Sequence, residues 1–193
     1  MLIAARHLVD RLRHPRSRAD EVAALRRRFA RGERASAEEI ALAAELRRLR
    51  EALSTALANV ESCSRCARGH PLPHGRWDGG HCCGTETTKV FTDDEVAALR
   101  LAGTTPSRLD PPRGDHAGCA FRGPAGCSLA VADRPNICVR FVCLELEGEL
   151  RERGDLRAIK AIAAEMNKAF ERFRKLRAAR VAAEAEAEEI EDP

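Results

Sequence analysis

A mainly α-helical chain, with long helices at either end of an irregular cysteine core, is what this sequence predicts. Three observations carry that expectation. All eight cysteines fall between Cys63 and Cys143. Of 13 glycines and 9 prolines, 11 and 7 lie between residues 62 and 153. On both sides of that stretch, apolar residues recur at steps of three and four, the period of an amphipathic helix.

At 193 residues the chain is of one-domain size, with room for helical extensions. The expected division is a helical arm over 1–61, a cysteine-cluster domain over 62–153 and a helix with an acidic tail over 154–193. Aromatic residues make up only 4% of the chain, without a tyrosine. Aliphatic packing, and whatever the cysteines bind, must therefore supply most of the cohesion. The opening apolar run is shorter than a signal peptide needs, and no stretch is long enough to span a bilayer. The chain reads as soluble and cytoplasmic, where thiols stay reduced and serve as metal ligands more readily than as disulfides.

In the N-terminal arm, Leu2 to His14 has the spacing of a short helix that stops near Pro15. Ser17 then stands as an N-cap, and Val22, Leu25 and Phe29 give a second helix that ends at Gly32. Ser36 and Glu39 form a capping box that opens a longer helix. On it, Leu42, Leu46, Leu49, Leu53, Ala56 and Val60 hold one narrow apolar seam. At the other end, Asp155 is placed to cap a helix bearing Leu156, Ile159, Ala163, Met166, Phe170 and Phe173. The two seams are expected to pack antiparallel; closure between two copies, as a homodimer, or on another protein partner is the alternative. From Glu184 to Asp192 the composition favours a fraying, solvated tail.

Residues 1–60 hold 13 arginines against 8 acids, whereas residues 181–193 hold six acids and no base. This favours attraction between the two ends over a nucleic-acid partner, and the scarcity of aromatics removes the stacking platforms that single strands use.

Within the middle, Thr92 and Glu95 read as a second capping box, followed by Val96 to Leu99 and a stop at Gly103. After Pro135, a turn through Cys138 and Cys143 becomes helix near Leu144. Cys63 and Cys66 have the spacing that lets two thiolates from one turn reach one metal or cluster. Cys82 and Cys83 are adjacent, so on extended backbone their side chains diverge; they suit two sites, or two metals of one cluster. Cys119 and Cys127 frame a small glycine-containing loop, and Cys138 and Cys143 follow the Arg134–Pro135 turn. Arg134 is expected to orient that turn. Eight sulfurs suffice for two four-thiolate sites, or for one iron–sulfur cluster with thiols to spare. Zinc and iron both accept four thiolates, so the choice between them stays open. His70, His74, His81 and His116 lie in the same region and read as loop residues beside the thiols, with Trp77 as a core plug. A dithiol redox enzyme would need a strand before Cys63, whereas a helix leads into it.

The run from Cys119 through Cys127, then Arg134-Pro135, Cys138 and the Cys138-Val-Arg-Phe-Val-Cys143 ending, resembles the C-terminal half of the YkgJ-like cysteine-cluster family, the zinc- or iron-chelating CxxCxxCC domain. The Phe91-Thr-Asp-Asp-Glu95 segment is similar to the family's middle. The likeness covers about residues 62–150, and the chain departs from it in the fifteen residues between Cys66 and Cys82. The resemblance implies zinc or iron/iron–sulfur binding by all eight cysteines, with no general activity, and an accessory role in protein modification of the kind a similar domain has beside flagellin lysine methylation enzymes. No phosphate loop, no Ser/His/Asp order and no paired carboxylates in a recognisable cleft speak for hydrolase or kinase chemistry. An iron–sulfur electron-transfer component or enzyme, linked to protein modification, is the alternative function. The acids of the helices read as solvated faces with Glu–Arg pairs at helical spacing.

Overall fold

The computed structural model describes residues 18–58, 60–62, 86–112, 119–123 and 126–191. The expected Leu2–His14 helix and the Ser17 cap lie outside them. The described chain is mainly helical: α1 (Arg18–Ala30), α2 (Ala37–Ala56), α3 (Thr87–Val90), α4 (Asp93–Leu101), α5 (Asn136–Arg140), α6 (Leu144–Arg153) and α7 (Leu156–Glu191). A two-residue antiparallel pairing joins β1 (Arg122–Gly123) to β2 (Gly126–Cys127), with Arg122 opposite Cys127. No helix among the described residues is long and apolar enough to cross a membrane.

The longer helices begin where the sequence signals a start. Ser36 and Glu39 form a reciprocal capping box, with Ser36 N–H donating to Glu39 at 2.7 Å and Glu39 N–H to the Ser36 hydroxyl at 3.1 Å. The two bonds satisfy amides that the first turn of α2 leaves without intrahelical partners. Thr92 caps α4 by accepting from Glu95 N–H at 3.3 Å. The second half of that box does not form: the Glu95 carboxylate turns inward to Asn136 instead. Gly103 at φ 96° and Gly154 at φ 79° end α4 and α6 in the left-handed conformation that glycine tolerates best.

Two apolar clusters fill the body. In the first, Leu42, Leu46 and Leu53 of α2 meet Leu146 and Leu150 of α6 and Ile159, Met166 and Phe173 of α7. Both long seams are thus buried against each other within one chain. In the second, Val22, Leu25 and Phe29 of α1 pack with Phe91, Leu99, Leu109 and Phe121. Phe91 is its centre, with ring centroids 6.3 Å from Phe29 and 5.6 Å from Phe121. The few aromatics are therefore concentrated, three of the six phenylalanines in one cluster.

Helix α4 joins the clusters, giving Ala97 and Ala98 to the first and Val96 and Leu99 to the second. Short α5 does the same with Val139 on one side and Ile137 and Cys138 on the other.

The expected attraction between front arginines and tail acids falls in part outside the described residues; among those described, the pairing has the opposite polarity. Acids of the front half meet arginines of α7: Arg177 pairs with Glu33 at 2.8 Å and Asp94 at 2.7 Å, and Arg180 pairs with Glu33 at 2.7 Å and Glu39 at 3.0 Å. In α1, Arg18 holds the backbone carbonyls of Pro112 and Arg122 and Arg26 that of Leu109, while Arg28 pairs with Asp93 at 2.7 Å. The expected fraying from Glu184 is also corrected. Helix continues to Glu191, because alanine and glutamate favour helix and Arg180 supports Glu184 at 2.9 Å one turn on.

Candidate metal centre

Cys63, Cys66, Cys82 and Cys83 lie outside the described residues, as do His70, His74, His81, His116 and Trp77. The other four candidate ligands are positioned by three local devices.

Cys119 is buried and belongs to the second cluster. Its neighbour Ala120 donates its N–H to the Thr87 hydroxyl at 2.8 Å, and that hydroxyl donates to Glu21 of α1 at 2.8 Å. One threonine side chain therefore ties α1 and α3 to the cysteine-bearing loop. Arg122 N–H closes the turn on the Cys119 carbonyl at 3.1 Å, and Ser128 N–H returns to the Phe121 carbonyl at 2.9 Å. The β1–β2 register then sets Cys127 opposite Arg122, half-buried against the same cluster.

Cys138 sits on α5, and the turn before it is pinned by buried polar groups. Arg134 donates to the Leu129 carbonyl at 2.9 Å, the orienting role expected for it. Asp133, 2% exposed, accepts from Thr104 at 2.7 Å and pairs with Arg108 at 3.0 Å. Asn136, 1% exposed, is held on two sides. Its Oδ1 accepts from Arg50 at 2.9 Å, and its Nδ2 and backbone N–H both donate to Glu95 at 3.1 Å.

Burial pushes the Glu95 carboxyl up to about 7, against the Asn136 amide and the charges of Arg50 and Arg140. Burial likewise lowers Arg50 to about 10, and nearby Glu95 opposes it. Arg50 is wholly enclosed, and its Nε and Nη2 have no hydrogen-bond partner among the described residues.

Cys143 packs against the first cluster and is the N-cap of α6, its sulfur accepting from Leu146 N–H at 3.5 Å. The same helix carries Glu149. Its carboxylate accepts from Ser62 Oγ at 2.6 Å, Ser62 N–H at 2.9 Å and Glu61 N–H at 2.8 Å. Those bonds, the Ser62 hydroxyl first, hold Glu149 down to about 2. Helix α6 thus anchors the chain at the residue preceding Cys63.

Glu61, Glu145, Glu149 and Glu152 line an open cleft beside Leu144, which is 89% exposed. The sequence offered no such grouping of carboxylates, since Glu61 is distant from the others in the chain. Glu149 is committed there to backbone amides as an anion, so it is no general acid.

Thiol sulfur is a suitable donor for zinc and for iron, so the chemistry of Cys119, Cys127, Cys138 and Cys143 fits either metal. Among the described residues, no three His, Cys, Asp or Glu side chains form a set able to hold a metal ion. Sequence reasoning missed Arg50, Asn136 and Thr87, none of which is a ligand type that a motif would flag. No family model, no curated protein and no solved structure matches this chain.

Proposed function

We propose that this is a metal-binding protein with a polythiolate site for zinc or an iron/iron–sulfur centre, built by the eight cysteines from Cys63 to Cys143 and serving a structural or accessory role in a reducing, cytoplasmic setting. The observation that carries the reading is that three thiols distant in the chain border one apolar cluster. Cys119, Cys127 and Cys138 come from a loop, a hairpin and a short helix, yet they pack against one cluster. Buried polar groups hold the backbone beside Cys119 and Cys138, which aliphatic packing alone would not require.

The long helices act in this reading as an antiparallel clamp around the cysteine core. In support, Glu38 and Glu39 at the start of α2 pair with Arg172 and Arg180 far along α7. Early in α7, Lys160 pairs with Glu147 of α6, whose Glu149 holds Ser62 just beyond α2.

Purification without oxygen, followed by metal analysis and absorption spectroscopy, tests the proposal. Stoichiometric zinc in a colourless protein supports a structural metal. A brown protein absorbing near ~400 nm assigns an iron–sulfur centre and favours electron transfer. Metal-free protein whose circular dichroism matches that of the chain as purified, with no metal retained by the thiols, overturns it.

A further inference from the structure

The group of Arg50, Glu95 and Asn136 has no place in a purely apolar account of the core. Glu95 is 5% exposed, Asn136 1% and Arg50 fully buried, at the junction of the two clusters. Taking two charges out of water is costly, and well-packed apolar residues of the same volume often do as well or better for stability. Stability therefore does not account for the group. What the group does geometrically is narrower. It grips both edges of one amide, with the carboxylate on the Nδ2 side and the guanidinium on the Oδ1 side, and also takes the backbone N–H of Asn136. Asn136 is the first residue of α5, two positions before Cys138. The donor–acceptor polarity admits one orientation of the amide, so it fixes the start of the five-residue helix that presents that thiol.

We propose that Glu95, acting through Asn136 with Arg50 as its counterpart, is a positioning residue for the Cys138 thiol and tightens metal binding there. The inference rests on the metal-binding reading above. Groups that orient a ligand without touching the metal commonly change affinity by about 10–100-fold when removed.

The test is titration of the full-length, reduced protein with cobalt(II) under nitrogen, following the thiolate-to-cobalt absorption. Compared are the wild type, Glu95→Met, and Leu42→Ala as a control that weakens the first cluster and leaves the bonds among Arg50, Glu95 and Asn136 in place. The expected result is cobalt affinity about 10–100-fold lower in Glu95→Met, with circular dichroism near the wild type and a lower urea midpoint, because Arg50 and Asn136 lose a buried partner. Leu42→Ala is expected to lose stability and keep the wild-type affinity. Unchanged affinity in Glu95→Met overturns the positioning role and leaves the metal reading standing. A wild type without thiolate–cobalt bands overturns both. If Glu95→Met does not fold, Glu95→Gln, which keeps the volume and one acceptor, carries the same comparison, and wild-type affinity in it overturns the role.

Discussion

Substituting Glu95→Gln should change how stability depends on pH. In the folded protein the carboxyl titrates at about 7, against an ordinary 4.5, because burial outweighs the Asn136 amide and the charges of Arg50 and Arg140. A group whose folded pKa is raised binds more protons folded than unfolded throughout that window. Its contribution is therefore full below about 4.5 and is lost as pH rises through 7. A rise from 4.5 to about 7 corresponds to a loss of roughly 3 kcal/mol across the window, at 1.36 kcal/mol per pH unit. Glutamine cannot ionise. It places an NH2 group beside Asn136 Nδ2, which offsets the whole curve without tilting it.

Urea denaturation of reduced wild type and variant, at intervals from pH 4.5 to 8, measures the difference directly. Histidines and thiols titrate in both proteins and cancel. The variant should gain on the wild type by on the order of 3 kcal/mol between the ends of the range. Two curves that run parallel throughout would refute the burial argument.

Other expectations follow from the same packing. Arg180→Ala removes the partner of Glu39, which is 1% exposed, and should cost about 2–4 kcal/mol, whereas Lys175→Ala, from an exposed pair, should stay within about 0.5 kcal/mol in urea denaturation. Arg180→Ala should also unfold at higher pH on acidification. Although burial acts to raise Glu33 and Glu39, their bonds, including those from Arg180, hold both below the ordinary carboxyl value, and that stability is present above about 4.5 and lost as pH falls. Leu46→Ala, at a site with no exposure, should lower stability by about 2–5 kcal/mol, and Leu144→Ala, 89% exposed, by almost nothing, as read by thermal unfolding. Thr87→Val leaves Ala120 N–H and Glu21 without their shared hydroxyl, and should speed hydrogen exchange at Ala120 while costing about 1–3 kcal/mol.

Features of the fold that depend on local rules were legible in the sequence. The seam from Leu42 to Leu53, the capping box at Ser36 and Glu39 and the start of α6 at Leu144 follow from periodicity and from groups three residues apart. Features that depend on distant partners were not. Arg50 lies among Arg47, Arg48 and Glu51 and has the composition of a solvated face, yet it turns inward because Asn136, 86 positions later, supplies its acceptor. Glu95 satisfies the capping pattern, but the inward bond to a buried amide wins over the return bond to Thr92, which competes with water. Helix α1 reads as part of a separate arm. Its three apolar residues found Phe91 and Phe121 only once the chain had turned back. Of the candidate site, the sequence indicates the candidate ligands but not the buried groups that fix the backbone beside them.

The pairing of α2 with α7 bears on synthesis. Glu38 and its partner Arg172 are 134 positions apart. Translation at roughly 5–20 residues per second leaves the leucines of α2 waiting several seconds for their cover. Cys119 to Cys143 emerge within that interval, ahead of the helix that closes the first cluster. Until α7 emerges, a nascent chain of this design exposes the apolar face of α2 together with its thiols.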